Sequence, residues 1–284
     1  MKIYQNKKLD FFSTFAIGGD ALYFIEVFDF LEMKMAFSFA KEKRLPFFIL
    51  GKGSNVLFDD RGFKGVIIKN NIKFLTRTEN YFIIGSGNSL SFFAKKCAMN
   101  NLSGLEFAFG IPATIGGAIC MNASAKEMEI SKSLESVFFM HENNSIEEIK
   151  KKDVVFEYRK SSFQKMKGAI IAAKFKLKKN NSANKILLEG YIKRKLSQPL
   201  KSKSLGCIFR NPVDVSAGKL IELCGLKNTK IGDAVVSSKH ANFILNESRA
   251  TSFDVRELIE HIKKIVEEKK HIKLKEEIIF LPYE

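Results

Sequence analysis

Apolar positions recur along this chain at two spacings, and the switches between them lay out its elements. Leu22 to Val27 reads as a strand. Leu31, Met35, Phe39 and Ala40 fall near helical spacing and predict a helix over 30–43 with that stripe inward. Phe47–Leu50 is a short apolar strand that runs straight into Gly51-Lys52-Gly53-Ser54-Asn55. The same design returns where Tyr81–Ile84 leads into Gly85-Ser86-Gly87-Asn88-Ser89. Ser89 suits the N-cap of a helix with Leu90, Phe93, Ala94, Cys97 and Ala98 on one face. Further strands are predicted near 134–140, 154–158 and 169–177. A helix from Ala217 to Cys224 is stopped by Gly225. Thr251-Ser252 opens the clearest helix, with Val255, Leu258, Ile259, Ile262 and Val266 on one side. Residues 272–281 read as a closing strand with Glu276 and Glu277 in its middle.

The densest glycine cluster lies between Ser103 and Asn122, where Gly104, Gly110, Gly116 and Gly117 fall within fourteen residues. Pro112 stiffens its middle and Thr114 is the hydroxyl inside the turn. Apolar residues flank both sides, so this is no solvated linker. Glycine serves where φ is positive or where a ligand or backbone comes close. A glycine-punctuated loop with exposed amides binds phosphates, and a tight turn with no ligand has the same composition. Neither companion loop carries a full nucleotide signature. Gly51–Asn55 lacks the Walker A spacing, and Leu90 stands at the third glycine position of a dinucleotide fingerprint.

Composition narrows the class. With 284 residues the chain exceeds one ordinary core and predicts two or three lobes. No apolar run approaches the ~18 residues of a membrane span, and the N-terminus has no signal-like apolar segment. A cytoplasmic enzyme with no membrane partner is the expectation. Cys97, Cys120, Cys207 and Cys224 stand far apart without a C-x-x-C pair, so free thiols are expected rather than disulfides or zinc. His141-Glu142 has no second His at the spacing a zinc site needs, and no metal is expected. The formal charge of +16 invites a nucleic-acid reading, but the lysines are dispersed and no nucleic-acid motif accompanies them. Part of that charge can steer a polyanionic small substrate. The polar stretch from Lys178 to Lys185 reads as a domain boundary.

Three glycine loops, then Tyr158-Arg159-Lys160-Ser161-Ser162-Phe163 and Gly206-Cys207-Ile208-Phe209-Arg210-Asn211-Pro212, form an ordered set. Together they resemble the UDP-N-acetylenolpyruvoylglucosamine reductase family of flavoenzymes. The resemblance runs from Thr14–Gly19 to Glu277, and the short 163–193 segment resembles the branch without an extra tyrosine-bearing loop. It implies an α+β fold of the vanillyl-alcohol-oxidase type, FAD as cofactor and NADPH as cosubstrate. Two FAD-binding subdomains are implied at 1–70 (joined by 275–284) and 71–188, with a substrate domain at 189–274. FAD would lie on Gly51, Lys52, Gly53, Ser54, Asn55, Gly87, Gly110, Ile111, Pro112, Thr114, Gly116 and Gly117. The chain departs from the family at Lys52, Ala113 and Ser124, where glycine is usual.

Reducing an enol ether beside a carboxylate needs a hydride at one carbon, stabilised negative charge, and a proton at the other. The resemblance gives the charge to Arg159, the proton to Cys207 and a supporting role to Glu277. A guanidinium stays protonated and can grip a carboxylate with two hydrogen bonds. A thiol of ordinary pKa ~8.5 is a stronger acid than a hydroxyl. Strand parity alone leaves the choice between Glu276 and Glu277 open. Tyr158, Lys195 and Asn211 are expected on the UDP-sugar, with His240 and Asn242 as weaker candidates. A monomer is expected. The rival readings are another FAD-dependent oxidase of the same fold and a basic nucleic-acid-binding protein.

Overall fold

A computed structural model describes residues 1–125 and 127–283. Lys126, within the predicted 71–188 segment, and Glu284, the end of the predicted 275–284 segment, lie outside the described residues. The protein is α+β. Its helices are α1 (Phe30–Glu42), α2 (Leu90–Met99), α3 (Ile115–Cys120), α4 (Ala183–Ser197), α5 (Ala217–Leu223) and α6 (Ser252–Lys270). The chain divides into two compact units. The larger comprises 1–4, 23–52 and 65–194, and the smaller comprises 5–22, 53–64 and 195–284.

The larger unit is built on a five-stranded sheet ordered Ile146–Lys150, Leu134–His141, Gly168–Lys176, Tyr81–Gly85, Leu75–Thr78. Neighbours run antiparallel, with Val137 opposite Ala173 and Ala173 opposite Ile84. Gly168–Lys176 is apolar almost throughout because both its faces are covered. Ala173 and Phe175 join a cluster with α2 and α3, whereas Ala169 and Ile171 join one with α1. The unit therefore holds two hydrophobic clusters, one on each side of this strand. Beside it, Phe47–Leu50 runs parallel to Phe63–Asn70, placing Leu50 opposite Lys69.

Helix α1 forms where its periodicity predicts, capped by the Asp29 side chain accepting from the Glu32 N–H at 2.8 Å. Its inward face is Met33, Ala36, Phe37 and Ala40, while Leu31 and Met35 are exposed. Two apolar stripes compete on this helix, and packing selects the one that sequence spacing did not favour. The predicted strand over 154–158 shrinks to Phe156–Glu157, one arm of a hairpin with Lys160–Ser161. The polar stretch after Leu177 forms the strand Lys178–Lys179 against Leu102–Ser103 and then the start of α4.

The smaller unit packs α5 and α6 on a three-stranded sheet ordered Lys230–Ile231, Ala234–Val236, Ile244–Asn246. α6 begins with a reciprocal capping box between Thr251 and Asp254, and its predicted stripe is buried at every position. Only Ile279–Leu281 of the predicted closing segment is strand, pairing parallel with Val56–Phe58. Among the described residues no helix is long and apolar enough to cross a membrane.

Candidate cofactor loops and active site

In the larger unit the predicted loops gather in one place. Ser89 and Thr114 form an antiparallel bridge. A Cβ on Gly51 would stand 2.6 Å from Thr114 Oγ1, and one on Gly116 would stand 3.1 Å from Ser86 Cβ. Asn70, buried beneath them, donates to Ser86 Oγ at 2.8 Å and to the Ile170 carbonyl at 3.0 Å, and accepts from the Ile72 N–H. Thr114 caps α3 by accepting from the Gly117 N–H at 3.3 Å.

Most amides of this cluster are already spent. Gly87 N–H donates to the Ile72 carbonyl, Ile115 to Asn88, Gly116 to Ser86, and Gly110 to Ser91 Oγ. Ile111 packs partly into the core and Pro112 is exposed. Ala113 does not adopt a positive φ, so its side chain is tolerated in place of glycine. Gly117 is different in kind. A Cβ there would meet only Thr114 Oγ1, at an ordinary 3.4 Å, and alanine would favour the helix. The protein leaves room at Gly117 that its own packing does not need.

The loop after Leu50 presents the opposite case. The N–H groups of Lys52, Gly53, Ser54 and Asn55 meet no acceptor among the described residues. Successive free amides form a concave donor set suited to an anion. Gly53 has φ +68°, and a Cβ on it would fall 1.9 Å from the Phe12 carbonyl oxygen, so only glycine fits. Its own carbonyl accepts from the Thr14 N–H at 3.0 Å, and Asn55 Nδ2 donates to the Glu277 carbonyl at 3.2 Å.

Tyr158 and Arg159 form the two-residue tip of the hairpin between Phe156–Glu157 and Lys160–Ser161. Arg159 has φ +57°, a left-handed conformation that costs a non-glycine residue about 1–2 kcal/mol. Its guanidinium lies 5.1 Å from the centre of the Tyr158 ring. Arg159 Nη1 donates to the Ser124 carbonyl at 3.1 Å and to Ser124 Oγ. Ser124 therefore supplies a hydroxyl that holds Arg159.

In the smaller unit, Cys207 bridges Phe243 in antiparallel fashion. The next residues are clamped by buried Asn242, whose carbonyl accepts from the Ile208 N–H at 2.8 Å. Its side chain accepts from Phe209 N–H at 2.9 Å and donates to the Phe209 carbonyl at 2.8 Å. Asn242 thus holds the segment that follows Cys207. Cys207 is partly exposed, whereas burial pushes the Cys97 and Cys120 thiols up to about 12 and about 11. Glu277 N–H donates to the Ile208 carbonyl at 2.7 Å, bringing Glu277 beside the segment that follows Cys207. Glu276 Oε1 is engaged by Lys263 of α6 at 2.7 Å. That ion pair ties Glu276 to the helix. Asn211 Oδ1 accepts from the Ala217 N–H at 3.0 Å, at the head of α5. Lys195 is exposed and its carbonyl accepts from Lys239 Nζ at 2.7 Å. Among the described residues no His, Cys, Asp or Glu group could hold a metal ion.

Sequence reading passed over Asn70 and Lys69 and gave Ser86 no role. A polar pair, Lys69-Asn70, directly after the apolar run Val66–Ile68 was the available signal. Lys69 Nζ donates to the Gly51 carbonyl.

Comparison with known proteins agrees with this geometry along the whole chain. Residues 23–149 match the FAD binding domain family, and 198–281 match the UDP-N-acetylenolpyruvoylglucosamine reductase C-terminal domain. The UDP-N-acetylenolpyruvoylglucosamine reductase of Protochlamydia amoebophila is 46% identical over 273 residues, covering 96% of this chain and 91% of the relative. That of Chlamydia felis is 44% identical, covering 96% of this chain and 92% of the relative. The crystal structure of the Thermus caldophilus enzyme superposes with a TM-score of 0.85 at 33% identity, covering 99% of this chain and 98% of that one. The chain belongs to the UDP-N-acetylenolpyruvoylglucosamine reductase family, FAD-dependent oxidoreductases of peptidoglycan synthesis.

Proposed function

We propose that this chain reduces the enolpyruvyl group of UDP-N-acetylglucosamine enolpyruvate to give UDP-N-acetylmuramate, with NADPH as the source of reducing equivalents. The observation that carries the residue assignment is the row of unclaimed amides at Lys52, Gly53, Ser54 and Asn55. Four such donors suit the FAD diphosphate, and the room at Gly117 suits close approach of the same cofactor. Gly51, Gly87, Gly110, Ile111, Pro112, Thr114 and Gly116 complete the assigned cradle. When bound, FAD supplies the hydride that this chemistry needs.

The protein's own groups supply binding, charge and the proton. Arg159 grips the substrate carboxylate and stabilises the negative charge that develops on it, with Ser124 fixing its direction. Cys207 gives its thiol proton to the carbon next to that carboxylate. Glu277, whose N–H is held by the Ile208 carbonyl, orients the same centre. Tyr158, Lys195 and Asn211 bind the UDP-sugar. The three-part division at 1–70 with 275–284, 71–188 and 189–274 remains our reading of the domains. We assign the enzyme to the cytoplasm as a monomer without a nucleic-acid partner.

Anaerobic half-reactions test the scheme. The purified protein is expected to be yellow, bleached by NADPH, and recoloured by the enolpyruvyl sugar. Cys207→Ala should leave bleaching near normal and slow recolouring by about 100-fold or more, within the usual range for loss of a proton donor. Equal loss in both halves removes Cys207 from the proton-donor role.

A further inference from the structure

Lys69 is a half-buried lysine that the scheme above does not use. It lies near the end of the strand Phe63–Asn70, opposite Leu50, and its Nζ donates to the carbonyl of Gly51. A trans peptide is planar, with its C=O and N–H pointing in opposite directions. Holding the Gly51 carbonyl on one side therefore aims the Lys52 N–H to the other. That N–H begins the row of unclaimed donors.

We propose that Lys69 is a positioning residue for the FAD diphosphate: its ammonium locks the Gly51–Lys52 peptide with the amide turned outward, and it sets a positive charge behind the donor loop. The proposal rests on the assignment of Gly51–Asn55 as the diphosphate loop. Lys52, Lys73 and Glu26 are the charged groups that face Lys69. Burial, aided by Lys52 and Lys73, pushes its pKa down to about 8, with Glu26 opposing. An ammonium with that pKa is partly deprotonated in mildly alkaline solution. A diphosphate nearby favours the charged form, so binding takes up a fraction of a proton. The sign follows. Below about pH 7 Lys69 is charged with or without FAD, and affinity is flat. As pH rises through about 8, holding the proton becomes a cost and FAD binds more weakly. One proton limits the slope to about tenfold per pH unit.

The test is FAD release from the holoenzyme, followed by recovery of flavin fluorescence on dilution between pH 6.5 and 9.5. The unaltered enzyme should hold FAD constantly at the acidic end and about fivefold more weakly at the alkaline end. Lys69→Met should bind FAD about tenfold more weakly at pH 7, with a flat profile. Lys69→Arg, which keeps a charge that does not titrate in this range, should also be flat but at higher affinity than Lys69→Met. Ser54→Pro, which deletes one of the unclaimed N–H groups, separates this proposal from the loop assignment beneath it. Weaker binding in Ser54→Pro beside an unchanged Lys69→Met overturns the role of Lys69 alone. Unchanged binding in both overturns the loop assignment as well. Should Lys69→Met fail to fold, a flat profile in the unaltered enzyme overturns the proposal by itself.

Discussion

Two glycine loops of similar composition do opposite things in this protein. In the loop from Gly110 to Gly117 the chain consumes its own amides, tying Gly110 to Ser91, Ile115 to Asn88 and Gly116 to Ser86. In the loop after Leu50 four consecutive amides meet no acceptor among the described residues. The first loop offers space and the second offers hydrogen bonds. Glycine counts treat them alike, and the hydrogen-bond inventory tells them apart. A cofactor with both a diphosphate and a flat ring system needs each kind of surface.

Substitutions can break or sharpen this contrast. The largest effect is expected from Gly53→Ala, where a Cβ collides with the Phe12 carbonyl and φ is +68°. Destabilisation of at least about 2 kcal/mol should accompany loss of flavin, read as a lower Tm and colourless protein. A yellow variant of normal Tm would contradict the geometry of that loop. Asn70→Ala removes three buried hydrogen bonds and should cost about 2–4 kcal/mol in denaturant unfolding. A loss below about 1 kcal/mol would show that the loops do not depend on that anchor. Gly117→Ala has the smallest effect on folding and the sharpest meaning. It should stabilise the flavin-free protein by up to about 1 kcal/mol through helix propensity, yet weaken FAD binding. If flavin affinity survives, the space at Gly117 is not there for the cofactor.

Much of the fold was legible because local signals and packing agree. The α6 stripe from Val255 to Val266 is buried as its spacing predicts, under a capping box at Thr251 and Asp254. Ser89 caps α2 as its position predicts. Legibility failed where two solutions were equally apolar. On α1, Leu31 and Met35 matched the helical period as well as Met33 and Phe37, and only the neighbouring sheet decides between them. For Glu276 and Glu277, parity could not choose, and the Lys263 bond to Glu276 comes from a helix that spacing alone does not bring to it. Lys69 carried only one signal, its place beside Asn70 at the end of the strand, and its bond to the Gly51 carbonyl is not legible from spacing. Ser124 was visible as a departure from the family pattern, but its bond to Arg159 spans 35 residues of sequence.

Amide hydrogen exchange, with and without FAD, tests the central claim most directly. The account predicts that Lys52, Gly53, Ser54 and Asn55 exchange fast in the flavin-free protein and slowly once FAD is bound. Ile115 and Gly116, already bonded within the protein, should be slow in both states. Equal exchange at Lys52–Asn55 in the two states would contradict it.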